Sequence, residues 1–136
     1  MEQFFNQYTI TDDKTKMDEK TIANLLHQSY WAANRPDETI HQSIVNSTCF
    51  GIFDAAGNQV GFARIISDFA TMYWLCDVVI DERHRGKGLG KQLVELIVND
   101  ERFRTLSGKL ATNDAHKLYE AYGFVSDGAK YMQKSK

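Results

Sequence analysis

Apolar and polar positions change period several times along the chain, and each change marks an element. Phe4 to Ile10 is rich in aromatic and β-branched residues and predicts a strand. A polar stretch, Thr11 to Lys16, leads to Asp18 at a helix N-cap position, and Ile22, Leu25, Leu26 and Ser29 follow at helical spacing. Asn34-Arg35-Pro36-Asp37-Glu38 reads as a second helix start, with proline at the first helical position and acids in the first turn; Ile40, Ile44 and Val45 supply its apolar stripe. Cys49 to Phe53 and Gln59 to Ile66 are apolar runs around the hairpin signal Asp54-Ala55-Ala56-Gly57-Asn58. A third run, Met72 to Ile80, follows Ser67-Asp68, so three consecutive antiparallel strands are expected.

From Gly88 the period becomes helical: Leu89, Leu93, Leu96 and Ile97 fall on one face. Lys109 to Thr112 predicts a short strand, and Asn113 the N-cap of a helix bearing Ala115, Leu118, Tyr119 and Tyr122, closed by Gly123 in the left-handed region. Phe124 to Ser126 and Ala129 to Met132, around Asp127-Gly128, predict a terminal hairpin. The order β-α-α-β-β-β-α-β-α-β-β places the chain in the α/β (α+β) class, as a mixed, mainly antiparallel sheet flanked by helices. A single proline, no linker-like stretch and no internal repeat point to one domain over residues 1–136.

Composition fits this picture. Apolar residues make up 43% and aromatics 12% of the 136 residues, enough for a core. Sixteen basic and eighteen acidic residues leave a net charge of −2, so no global basic field exists for a nucleic-acid backbone or an anionic membrane, and neither is expected as a partner. Any polyanion must be held locally. Two cysteines, Cys49 and Cys76, exclude a disulfide framework and a four-cysteine zinc site. No signal-like N-terminus and no membrane-length apolar run are present, and a soluble, cytoplasmic protein is expected.

Arg83-His84-Arg85-Gly86-Lys87-Gly88-Leu89-Gly90-Lys91 is the most informative stretch. A glycine-rich turn between a strand and a helix exposes main-chain N–H groups at a helix N-terminus, which makes an anion cradle. Gly86, Gly88 and Gly90 admit close approach of phosphate oxygens, while Arg85, Lys87 and Lys91 add local charge. The bland alternative is a solvated glycine turn. Lys91 is followed by Gln92, without the magnesium-binding hydroxyl of a nucleotide P-loop, and the G-x-G-x-G spacing after hairpin-linked strands fits a dinucleotide fingerprint poorly.

Arg85-Gly86-Lys87-Gly88-Leu89-Gly90 resembles the Arg/Gln-x-x-Gly-x-Gly/Ala pyrophosphate loop of the GCN5-related N-acetyltransferases (GNAT). Ala115-His116-Lys117-Leu118-Tyr119-Glu120-Ala121-Tyr122-Gly123-Phe124 is similar to that family's helix with Leu-Tyr-Glu followed by Gly-Phe. The resemblance implies acetyl-coenzyme A in a V-shaped opening between two splayed parallel strands, its pyrophosphate on the loop from Arg85 to Lys91 and its pantetheine along Val78 and Val79. It further implies that Tyr119 protonates the leaving thiolate and that Asn113 and His116 are further cofactor contacts. Two positions depart from the commonest pattern: Asp81 stands where many members carry proline, and Asp114 where an asparagine often meets the pantetheine arm.

The implied reaction is transfer of acetyl to a primary amine of a small molecule by direct attack, without a covalent enzyme intermediate or a metal. Asp77, a carboxylate in the apolar run Leu75 to Ile80, is costly unless paired. It is either the group that attracts a cationic, polyamine-like acceptor and takes its proton, as its resemblance to the diamine acetyltransferase subgroup implies, or a structural carboxylate paired with a residue such as Arg64. Tyr30, Trp31 and Arg35, at the junction of the first two helices, are candidate acceptor contacts; packing of the helix corner is the alternative for Trp31. Tyr73 and Trp74 must point to opposite faces, and Tyr73 is the candidate for the cleft. His27 and His41 match no metal motif. A noncatalytic coenzyme A sensor and a protein lysine or N-terminal acetyltransferase are the competing readings, and a homodimer is left open.

Overall fold

The computed structural model describes residues 1–136. It opens with a tight hairpin, β1 (Glu2–Phe5) and β2 (Tyr8–Thr11), where the sequence predicts one strand. Asn6 adopts φ 54° between the paired residues Phe5 and Tyr8, and asparagine is among the few residues that tolerate this region. The turn lies hidden in an otherwise strand-like stretch.

Helix α1 (Glu19–His27) starts where expected, with the Asp18 carboxylate accepting from the Thr21 N–H. Helix α2 (Asp37–Val45) begins one residue after Pro36, which is its N-cap and not its first helical residue. Strands β3 (Thr48–Phe53), β4 (Gln59–Ser67) and β5 (Met72–Ile80) form the predicted antiparallel meander, and α3 (Leu89–Asn99) follows Gly88, whose φ of 79° caps it. The next strand, β6 (Ser107–Lys109), is shorter and earlier than Lys109 to Thr112, and α4 (His116–Glu120) is capped by Ala115, not Asn113. Thr112 Oγ1 instead accepts from the N–H groups of Asp114 and Ala115. Gly123, at φ 89°, closes α4 as predicted.

The terminal hairpin does not form. Residues from Phe124 onward contribute no strand; Val125 and Met132 are exposed, and Tyr131 lies 6.0 Å from the ring of Trp74. An edge strand is stable only when an apolar face meets a core, and here Phe124 alone packs against it, its ring 6.0 Å from that of Tyr119, while the residues after it stay exposed.

The result is one six-stranded sheet in the order β1-β2-β3-β4-β5-β6, antiparallel except for β5 and β6. Tyr73 and Leu75 pack with α3 through Leu89, Leu93, Val94 and Ile97 on one face. On the other, Cys49, Phe62 and Val79 meet Ile22, Leu26 and Ile40 of α1 and α2. Leu75 and Val79 should share a face by strand alternation, yet they sit in opposite cores. A β-bulge causes this: Arg64 pairs with Cys76 and Phe62 with Val79, so Ala63 faces both Asp77 and Val78.

Candidate active site

Parallel pairing of β5 with β6 covers only Met72–Trp74 and Ser107–Lys109, after which the strands part. A cleft of about 780 Å³ opens between the rest of β5 and Leu110–Thr112, walled by α4 and by the α1–α2 connection. At the base of the splay a Cβ on Gly108 would collide with the Tyr73 phenol, so only glycine lets the strands meet there.

At the C-terminal end of β5 the chain enters the glycine loop. Gly86 and Gly88 both adopt φ 79°, and a side chain at Gly86 would meet nothing within 4 Å, so backbone conformation rather than crowding demands glycine. No main-chain N–H from Arg85 through Gly88 donates to another group of the chain, and the first bond of α3 runs from the Gln92 N–H to Gly88 O at 3.0 Å. These free donors, added to the positive end of the helix dipole, leave the loop with donors available to an anion. Arg85 is tied back by Nε to Ile80 O at 3.1 Å and lines the cleft with Gly90. Lys87 leans away on the first hairpin, its Nζ 3.3 Å from Tyr8 Oη, which also lies 2.9 Å from His84 Nδ1. Leu89 is buried in the core and offers the loop only its backbone. Lys91 O accepts from Tyr122 Oη at 3.2 Å, which ties the end of α4 to the start of α3.

The bulge sets the centre of the cleft. Asp77 occupies φ 54°, and with the extra residue both Cys76 and Asp77 turn toward the α1–α2 side. Asp77 Oδ1 accepts from Trp31 Nε1 at 3.0 Å; Oδ2 accepts from Arg35 Nη1 at 2.8 Å and Arg64 Nε at 2.9 Å. Only 2% of the Asp77 side chain remains accessible. Burial alone would push its carboxyl up, but the hydrogen bonds and charges of Arg35 and Arg64 outweigh it and hold the carboxyl below the usual carboxylate range. A carboxylate so engaged is a weak base. Arg64 Nη1 also donates to Ser47 Oγ, while Cys76, part-exposed in the same wall, has its thiol pushed up by burial.

Tyr119 stands on the facing wall, supplied by α4, and is 9% exposed. Burial first, then the charge of Asp114 and the neighbouring Tyr30, push its phenol up to about 12. It therefore holds its proton throughout the neutral range. Tyr30 Oη accepts from the Asn113 N–H at 3.3 Å and its ring meets Trp31 edge-on at 5.1 Å, so the α1–α2 connection roofs the cleft against the segment before α4.

Val78, Val79, Arg85, Gly90, Tyr30, Trp31, Arg35, Asp77 and Tyr119 thus come together around one cleft. Asn113 and His116 are exposed and lie outside its lining. Tyr73 is corrected: it is buried against Phe103, ring centroids 5.3 Å apart, and Trp74 takes the cleft face. The sequence offers Arg64 only as a partner for Asp77 and Asp114 only as a departure from the family pattern; both line the cleft. No group of His, Cys, Asp or Glu has metal-site geometry, and no helix is long and apolar enough to cross a membrane.

Comparison with known proteins agrees with this geometry. The profile of the acetyltransferase (GNAT) domain matches residues 46–126. A solved protein of Xanthomonas campestris pv. campestris, described as belonging to the GNAT family, is 34% identical and superposes with a TM-score of 0.90 over 98% of this chain and 96% of its own. The uncharacterized N-acetyltransferase ycf52 of Gracilaria tenuistipitata var. liui is 31% identical over 97 residues, 68% of this chain and 53% of that protein. The chain spans about half the length of the curated relatives it matches, 48% and 53%. A GNAT acetyltransferase of Elizabethkingia anophelis, solved with acetyl-coenzyme A bound, shares the fold at a TM-score of 0.69 and 15% identity, covering 90% of this chain and 80% of its own. With the glycine loop, the splayed strands and the matched profile in one chain, the protein belongs to the GCN5-related N-acetyltransferase family.

Proposed function

We propose that this domain transfers an acetyl group from acetyl-coenzyme A to a primary amine of a small molecule. One observation carries the reading: a row of unpaired main-chain donors from Arg85 to Gly88 heads a cleft whose far wall presents a buried, protonated phenol. Acetyl-coenzyme A supplies a thioester, an acyl group already activated toward amines. The donors of Arg85 to Gly88 and the start of α3 would hold its pyrophosphate, and Val78 and Val79 would run beside its pantetheine.

Tyr119 keeps a proton at Oη for the departing sulfur. A free thiol, with a pKa of about 8.5, is a stronger acid than this phenol, but burial raises the basicity of a thiolate held beside it as it raises the tyrosine. The acceptor ammonium, with a pKa of about 10.4 for an alkyl amine, must lose its proton before attack. Asp77 is engaged by Trp31 and two arginines, and Asp114, the other carboxylate of the lining, stands exposed to solvent, so the proton passes to solvent water in this scheme.

Acetyl-coenzyme A affinity measured by calorimetry tests the reading, together with thiol release over a panel of small amines. Gly88→Asp puts a side chain and a negative charge in the cradle at a left-handed position and should weaken cofactor binding at least several-fold. Unchanged affinity in a folded Gly88→Asp protein would remove the loop from cofactor binding. Tight binding without thiol release from any amine or peptide would replace transfer with sensing.

A further inference from the structure

Given acetyl transfer to an amine in this cleft, we infer that the acceptor also carries a carboxylate or phosphate group, which Arg35 and Arg64 bind beside the β5 bulge.

Five charged side chains line the cleft: Arg35, Arg64, Arg85, Asp77 and Asp114. Arg85 belongs to the loop end, where Ile80 O holds it. Around the bulge, two guanidiniums therefore share a single carboxylate and leave one positive charge in surplus. The three donors on Asp77 are all internal and only 2% of its side chain is accessible, so the carboxylate is closed to an ammonium group. The unspent hydrogen-bonding capacity lies with the arginines instead. Arg35 uses only Nη1, and 22% of its side chain remains accessible; Arg64 uses Nε and Nη1. Two like charges drawn together in a half-buried wall favour a second anion, and a planar guanidinium fork fits a carboxylate or phosphate oxygen pair.

The opposite wall suits the other end of such a molecule. Asp114 is exposed there, and its charge reaches Tyr119, so an ammonium group finds its counter-charge beside the candidate proton donor. Trp31 and Trp74 add aromatic surface to the same lining. The site thus selects a bipolar acceptor and disfavours a polyamine, whose several positive charges would meet the surplus arginine charge. The cationic acceptor suggested by sequence depended on a free Asp77.

Both tryptophans of the chain line the cleft, so intrinsic fluorescence of the coenzyme A-loaded protein reports its occupancy without requiring turnover. The ligands are matched pairs: phenylalanine against phenethylamine, O-phosphoethanolamine against ethanolamine, with spermidine as the polycation. We expect the anionic member of at least one pair to bind about tenfold tighter than its partner, and which pair responds tells carboxylate from phosphate. Arg35→Gln should erase that preference, Arg35→Lys should keep much of it, and Asp77→Asn, which enlarges the positive surplus, should strengthen anion binding. Equal binding within both pairs, tightest binding of spermidine, or no binding of either anionic ligand to the wild-type protein overturns the inference. Thiol release measured in parallel separates it from the reading it rests on. Release from amines without anion preference leaves transfer standing and removes the anion site; anion preference without release from any amine does the reverse.

Discussion

Three donors converge on Asp77, and their arrangement predicts how the protein responds to acid. Because the folded carboxyl lies below its ordinary value, the stability it contributes is complete above about pH 4 and disappears as pH falls through the lowered folded value. Asp77→Asn should therefore destabilise the protein by about 2–3 kcal/mol at neutral pH. This is somewhat below the ~3–5 kcal/mol for breaking a fully buried pair, because both guanidiniums keep some contact with solvent. Urea denaturation at pH 7 and pH 3 checks this: the gap between variant and wild type should narrow on acidification, and a constant gap would separate the ion pairs from stability. For Tyr119, replacement by Phe preserves the packing and removes one proton. Turnover should fall by roughly 10²-fold with acetyl-coenzyme A affinity little changed. A phenol displaced to about 12 also predicts that kcat/KM rises with pH along the acceptor's own amine titration, with no alkaline decline from Tyr119 below pH of about 11. Stopped rates across pH 6–10 would reveal an enzyme base if the rise levelled off well below the amine pKa.

Helices α1 and α3, the meander and the anion loop were legible as elements because each is encoded by a contiguous pattern: periodic leucines in α3, an N-cap at Asp18, glycines between a strand and a helix. The bulge was not. Nothing in Leu75-Cys76-Asp77-Val78 announces an extra residue, since Asp77 reads equally well as an alternating strand position; the register emerges only when β4 pairs, with Ala63 opposite two residues. For the same reason the sequence offers Tyr73 for the cleft where the structure has Trp74, since alternation says that the two differ in face and not which face opens on the cleft. The missing terminal hairpin has a related cause: Phe124 to Met132 carries strand-like residues, but strand formation depends on a partner, and the edge strand β6 is three residues long. At the loop, Gly88→Ala is a gentler probe than Gly88→Asp. It adds only a methyl at φ 79° and should cost about 1 kcal/mol of stability while preserving most cofactor affinity, measurable by thermal melting with and without acetyl-coenzyme A.

Across the whole molecule, the cleft is where separately folded parts must agree. The first hairpin reaches the glycine loop through Tyr8, His84 and Lys87; the α1–α2 connection reaches β5 through Trp31 and Arg35; and α4 is tied to α3 by Tyr122. Residues more than forty positions apart in sequence therefore meet on one carboxylate, which is why the surroundings of Asp77 could not be read before the fold. The bulge also bears on which changes in chain length the fold can absorb. Remove Asp77 and Val78 falls opposite Ala63, while Cys76 stays with Arg64 and Val79 with Phe62, giving a ladder with uninterrupted alternation. Asp77 is thus a supernumerary residue of the sheet, inserted into a strand that would close without it. Deleting it should leave a folded protein with the same core and an altered cleft, whereas deleting Leu75 would exchange the buried and cleft-facing sides of the strand before it. Amide exchange in α3 and β4 distinguishes the two: protection should persist in the first deletion and collapse in the second.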